Sequence, residues 1–546
     1  MNSDQRQSPI FRLADDYLTQ QAALDPVGAG MRGLSGVFGA ATDYSPDGYE
    51  AQAELIARTL TALSALPVAG EADRIAALLL RERLSSAAAW HEAGEPLREL
   101  RTPIGRIAAL RDSVDLLPRS SEEDWRNIGA RLAAIPAMFG SWRDSLAEGL
   151  RRGLPAARRQ ALGAAGQAET YARIRTHDAL ISSYGDGPLA SSLASAAAAA
   201  YAGYDSLARY LREEYAPGAV PADAVGAERY AVNARLSLGA DLDPREAYEW
   251  GWAELGRIEA EMKAEAGSVR AGASVAEAWA ILGETEFVDG EDAYAAWLQE
   301  RHDEAVSRLN GTAFDIPPAL QRIDAVLARG SASGAAYYTA PSEDLTRPGR
   351  TWWPLGGRQR FSTWNELTVV FHEGVPGHHL QAGAATVSSS LSRFARNTFI
   401  SGHGEGWALY AERLADELGW FADYRGSRLG MLAGSATRAA RVVIDIGVHL
   451  DLPLPDGSRW TFASACDVLR DRGHIEEYRV VPEVTRYFGW PGQAPSYKLG
   501  ERAWLAARSA AAAKPGFDLK KWHAAALRLG PLGLDSLTSE LSGIAG

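Results

Sequence analysis

The sequence predicts a mostly α-helical protein carrying a small antiparallel β-ribbon. Three observations support this. Most of the chain repeats apolar residues at three- and four-residue spacing inside segments rich in Ala, Leu, Arg and Glu. Turns containing proline or glycine separate those segments. Near residue 333 the texture changes to short aromatic and β-branched runs flanking a Pro/Asp/Arg/Gly loop.

Taken in order, helices are expected over 49–65, 70–93, 122–148, 155–183, 186–214, 244–266 and 291–308. Turns at Pro217-Gly218, Asp241–Pro244 and Ile316-Pro317-Pro318 divide them. Asp243-Pro244 followed by Glu246 reads as a helix start. Ala336–Ala340 and Arg350–Leu355 are the two expected strands of an edge ribbon. Helix resumes near Thr363 and continues to the end, broken at 451–457 and at the Gly/Pro-rich stretch 489–496. The change in texture divides the chain into a helical part, 1–330, and a metal-binding part, 331–546. One continuous helical domain is the alternative.

At 546 residues the chain exceeds one ordinary core, and 46% hydrophobic with 23% charged residues is ordinary globular composition. A net charge of −13 argues against nucleic acid, whose affinity comes mainly from Lys and Arg neutralising phosphates. Cys466 is the single cysteine, so neither a disulfide framework nor a cysteine zinc site is available. The N-terminal residues lack a basic region followed by an apolar run, and no 18-residue apolar stretch exists. The expectation is a soluble cytoplasmic protein without a membrane partner.

Residues 371–381, FHEGVPGHHLQ, carry the strongest chemical signal. His372-Glu373 opens like the zinc-protease pattern HExxH, in which one helix offers two imidazoles to a metal and the glutamate acts as base. The second histidine position, 376, is proline, and His378 and His379 follow. Proline inside a helix removes a hydrogen bond and kinks the chain. A kink with two extra residues favours His378 as the ligand and leaves His379 as a neighbouring or substrate-facing group, with the reverse assignment as the alternative. Five of the ten histidines, at 372, 378, 379, 403 and 449, fall in this part of the chain.

A catalytic zinc takes three protein ligands and an open position. Glu405, in the helical segment HGEGWALYAE at 403–412, is a candidate third ligand, although acidic residues also favour first helical turns for dipole reasons. Glu412 lies on roughly the same face. Arg438, Arg441, Asp445 and His449 recur at spacings of three, four and four along another helix. This stripe is either an exposed face with ion pairs or a supporting shell, with Asp445 orienting a ligand histidine and an Arg meeting a substrate carboxylate. Tyr497, after a Gly/Pro-rich turn, is a candidate oxyanion donor.

HEGVPGHHLQ, EGWALYAE, RAARVVIDIGVH and RYFGWPGQAPSYKLG, with YYTAPSEDLTRPGRTWW upstream, resemble the ordered motif blocks of the bacterial domain-of-unknown-function 885 family. That family is similar to gluzincin zinc metallopeptidases, whose larger helical members wrap the site in a deep cleft. The resemblance implies Zn2+ held by His372, His378 and Glu405, Glu373 as base, and Tyr497 as oxyanion donor; His379 or His449 is a further candidate to stabilise the oxyanion. The expected function is hydrolysis of an amide bond in short peptides or peptide-like small molecules, of carboxypeptidase or dipeptidase type if Arg438 or Arg441 holds a terminal carboxylate. The alternatives are hydrolysis of a non-peptide amide metabolite and a non-catalytic helical binding protein with a structural metal.

Overall fold

The computed structural model describes residues 8–34, 36–328, 335–342 and 345–544. The chain is mostly helical, as its periodicity requires. Glu122–Arg151 starts with a capping box, in which Ser121 Oγ accepts from the Asp124 amide and the Asp124 carboxylate accepts from the Ser121 amide. Pro244–Val269 starts where expected, with the Asp243 side chain accepting from the Arg245 and Glu246 amides.

Two large hydrophobic clusters organise these helices. One gathers buried residues between Val27 and Ala219, centred on Glu122–Arg151 packed against Ala190–Tyr210. The other draws buried residues from both ends of the chain, from Ile10 to Leu541. Helix Ser427–His449 runs through it, buried along almost its whole length and packed against Pro244–Val269 and Thr363–Glu373. The expected boundary at 330–331 lies outside the described residues. Among the described residues, no helix is long and apolar enough to cross a membrane.

Two sequence expectations are corrected. The single helix expected over 155–183 is divided into Arg158–Arg173 and Asp178–Ser182, with Arg175 between them at φ 51°. The β-ribbon is part of a larger arrangement. Strands are β1 (Phe287–Asp289), β2 (Ile323–Ala328), β3 (Tyr337–Thr339), β4 (Gly349–Pro354) and β5 (Arg360–Ser362). β3 and β4 pair antiparallel as expected, with Tyr337 opposite Trp352, but β4 also pairs parallel with β2, so it is a central strand. β1 and β5 form a separate antiparallel pair that leads directly into helix Thr363–Glu373. That junction fixes where His372 and Glu373 emerge.

Candidate metal centre

The stretch 371–381 folds as two helices, where the sequence suggested one kinked helix. Thr363–Glu373 ends at Gly374, and His378–Val387 starts after Gly377. The turn is tight. A Cβ on Gly377 would lie 2.0 Å from the His372 carbonyl oxygen, so only glycine lets the chain fold back this closely. Trp407 Nε1 donates to the Pro376 carbonyl at 2.8 Å, tying the turn to helix Ser401–Glu417.

The turn brings His378 back beside His372, with ring centroids 4.9 Å apart and planes at 88°. Glu405, in the first turns of Ser401–Glu417, completes a set of three whose ligand atoms lie within 4.8 Å of one another. Its Oε2 is 3.4 Å from His372 Nε2 and 3.6 Å from His378 Nε2. Neither contact has hydrogen-bond geometry, and Oε2 is buried with no hydrogen-bond partner. A buried carboxylate oxygen left this way is costly unless a cation shares it. The donor set, two imidazoles and a carboxylate, suits zinc.

Glu412 lies behind this set. His372 Nδ1 donates to its Oε1 at 2.7 Å, and Thr368 Oγ1 donates to its Oε2. The bond fixes the His372 tautomer so that Nε2 points toward Glu405 and His378, the carboxylate–histidine arrangement that supports metal ligands. Burial alone would push the His372 imidazole down; the nearby Glu405 carboxylate and the hydrogen bond to Glu412, with the charge of Glu373, lift it to about 9. The two imidazoles hold the Glu405 carboxyl well below its usual range despite its burial. Three carboxylates thus surround two imidazoles, and positive charge between them is favoured.

Glu373 is buried next to this cluster. Burial raises its carboxyl above the ordinary range, against the positive influence of His372, His378 and Arg438. The Arg438 charge also lowers Glu412 and Tyr497, so it acts on all three groups, and its buried Nε has no hydrogen-bond partner. Tyr497 opens helix Ser496–Ala512; its hydroxyl is pushed up by burial and then by the Glu405 charge. The structure therefore brings together His372, Glu373, His378, Glu405, Arg438 and Tyr497.

The other expected residues lie elsewhere. His379 Nε2 donates to the Leu320 carbonyl at 2.9 Å and Nδ1 accepts from Tyr338 at 3.1 Å, so both its nitrogens are occupied in bonds to the chain. His449 donates to the Tyr487 carbonyl at 2.9 Å and is fully buried. His403 accepts from the Leu532 amide at 3.3 Å. Asp445 orients no ligand histidine. It accepts from Tyr230 at 2.7 Å and the Gly492 amide at 3.0 Å, and burial pushes it up to about 7. Arg441 donates to Tyr487 at 2.9 Å and Glu483 at 3.0 Å while its guanidinium lies 4.8 Å over the Tyr497 ring, so it braces that tyrosine. The stripe on Ser427–His449 is interior. Sequence reasoning placed Glu412 on the face of Glu405, seven residues on, without a role; the structure makes it the partner of His372.

A cavity of about 620 Å³ opens beside the centre. Glu405, Phe399, Ser401 and Gln493 form one side of it, and Tyr17, Gln52, Trp90, Arg101 and Trp490 contribute to the rest. Its volume falls in the range of small-molecule sites.

Known proteins provide the context for this geometry. The family described as "Bacterial protein of unknown function (DUF885)" matches residues 26–541. No curated protein matches the chain. A crystal structure of a "putative lipoprotein" from Colwellia psychrerythraea superposes with a TM-score of 0.80 at 20% identity, covering 98% of both chains. A "putative lipoprotein of unknown function" from Shewanella oneidensis gives 0.72 at 15% identity, over 97% of this chain and 99% of that one. At these identities the likeness is one of fold.

Proposed function

The chain belongs to the DUF885 family of bacterial proteins, and from that premise we propose that it is a zinc-dependent hydrolase of the gluzincin kind, cleaving an amide bond in short peptides or peptide-like small molecules. The observation that carries this reading is the convergence of His372, His378 and Glu405, with Glu373 beside them and Glu412 fixing His372. A bound zinc ion supplies Lewis acidity to a carbonyl and makes water acidic enough to attack at neutral pH.

The protein's own groups do the rest. Glu373 accepts the proton of the attacking water and passes it to the leaving amine nitrogen. Its burial next to two imidazoles suits a carboxyl that must both take and give a proton. Tyr497 and Arg438 donate to the tetrahedral oxyanion, with Arg441 holding the Tyr497 ring in place. A set of three protein ligands, with Glu405 on the wall of a cavity, argues against a purely structural metal, which takes a closed set of four. The cytoplasmic location expected from the sequence gains no support from the two structural relatives, whose description as lipoproteins favours a place outside the cytoplasm.

The test is metal content and turnover together. The purified protein should hold about one zinc per chain, and chelation should abolish hydrolysis of short peptides until zinc is restored. Glu373→Gln should keep the metal while losing at least about 100-fold in turnover. Full activity after verified metal removal, or normal turnover in Glu373→Gln, would sink the mechanism.

A further inference from the structure

The cavity that reaches Glu405 carries one arginine on its wall, beside the carboxylates Glu99 and Glu405. Arg101 lines it, and its guanidinium stacks on Trp490 with Cζ 4.0 Å from the ring centroid. Its NH2 group lies 2.9 Å from Glu99, and Arg106 contacts the same carboxylate. A recess of about 50 Å³ adjoins the cavity, sharing Trp90, Glu99, Arg101, Asn233 and Trp490 with it. There Arg98 and Arg229 both face Glu95, at 2.9 and 2.6 Å. Arg98, Arg101, Arg106 and Arg229 share Glu95 and Glu99, and Asp223 is a third carboxylate on the recess.

Arg101 keeps a buried Nε without a hydrogen-bond partner. Stacking on Trp490 holds its plane fixed, which is the preparation that two-pronged carboxylate recognition needs. Phe399 and Trp90 supply apolar surface in the same cavity.

We propose that this wall is a substrate subsite, in which Arg101 on Trp490 receives a carboxylate while the amide bond lies toward Glu405. The carboxylate belongs to the chain terminus of a short peptide or N-acyl amino acid, or to an acidic side chain in the same substrate. The placement of the scissile bond rests on the hydrolase reading above; recognition of the carboxylate does not.

The test is calorimetric binding of N-acetyl tri- to pentapeptides to the zinc-loaded Glu373→Gln protein. Each peptide is measured as the free acid and as the C-terminal amide, and a second set compares an internal Glu with Gln. One carboxylate form should bind about 10-fold or more tightly than its neutral counterpart, and the pair that shows the preference identifies the source. Arg101→Gln should bring the two forms within about 3-fold, while Arg101→Lys retains part of the preference. The acid–amide comparison on the unaltered subsite requires no Arg101 variant to fold. Equal or absent binding of charged and neutral forms overturns the subsite, even if metal-dependent hydrolysis is found. An undiminished preference in Arg101→Gln removes Arg101 from it. An Arg101-dependent preference in a protein that hydrolyses no peptide leaves the subsite standing and removes the hydrolase reading.

Discussion

Glu412 decides how well His372 can serve as a ligand. Its carboxylate accepts the hydrogen bond from Nδ1–H, and Thr368 fixes the carboxylate. Glu412→Gln keeps the shape but removes the charge, so zinc affinity should fall about 10-fold or more, read by competition with a chelator of known strength. Unchanged affinity would show that the contact is only packing. Tyr497→Phe should bind metal and substrate as before yet turn over about 10- to 1,000-fold more slowly, because a donor to the oxyanion acts only in the transition state. A loss confined to KM would remove Tyr497 from the chemistry. At this scale the sequence was informative where chemistry is local. The motif offered His372 with His378 or His379, and the family resemblance, more than spacing, set Glu405 beside them. The roles of Glu412 and Asp445 were not readable, because a carboxylate's partner is set by which helices meet. Asp445 looked like a histidine's support and instead ties Tyr230 to the Gly492 loop.

The elements explain why the site residues meet. Helices Ser401–Glu417 and Ser496–Ala512 touch backbone to backbone. A Cβ on Gly500 would lie 2.0 Å from the Gly402 carbonyl oxygen, and one on Gly406 would lie 2.4 Å from the Gly500 carbonyl carbon. Ser401 and Ser496 hydroxyls meet at 2.7 Å across the same contact. This close crossing sets Glu405 beside Tyr497. Gly500→Ala should therefore separate the helices, at a cost of about 1–3 kcal/mol or more in stability, and should also weaken zinc binding. Gly256→Ala, in a helix with nothing near its added methyl group, is the control and should stabilise by up to about 1 kcal/mol. A Gly500→Ala protein as stable and as metal-avid as its parent would mean the crossing does not position the site. Such contacts escape sequence reasoning. Periodicity located Glu122–Arg151 and Pro244–Val269, but β2 in Ile323–Ala328 is defined by parallel pairing with a strand beyond residue 348, a partner its own residues do not announce.

Across the whole molecule, buried neutral histidines set the acid limit. Burial lowers His177, His449 and His523 to about 4 and His302 to about 3, from an ordinary value of 6.5. Each stays neutral in the folded chain while its unfolded counterpart takes a proton. The stability they contribute is complete above about 6.5 and is lost as pH falls through that value toward 4. Asp445, raised to about 7, acts in the opposite sense and offsets one of the four. The melting temperature should therefore fall between pH 7.5 and pH 5. His177 isolates the cause. Both its ring nitrogens are buried without a hydrogen-bond partner, and its ring stacks on Tyr201 with centroids 6.2 Å apart. It packs against Tyr201 and Tyr204 in the Val27–Ala219 cluster, which contains none of the metal-centre residues, so substitution there tests stability. His177→Phe keeps an aromatic ring against Tyr201 and removes two unsatisfied polar atoms, a change worth about 1–3 kcal/mol at pH 7.5 less whatever the larger ring costs in packing. At pH 5 the variant also escapes the protonation that favours the unfolded parent, a further advantage of about 2 kcal/mol. Melting temperatures of parent and variant at both pH values measure the difference directly. If the variant's advantage is the same at pH 7.5 and pH 5, His177 is not among the groups that make the fold acid-sensitive.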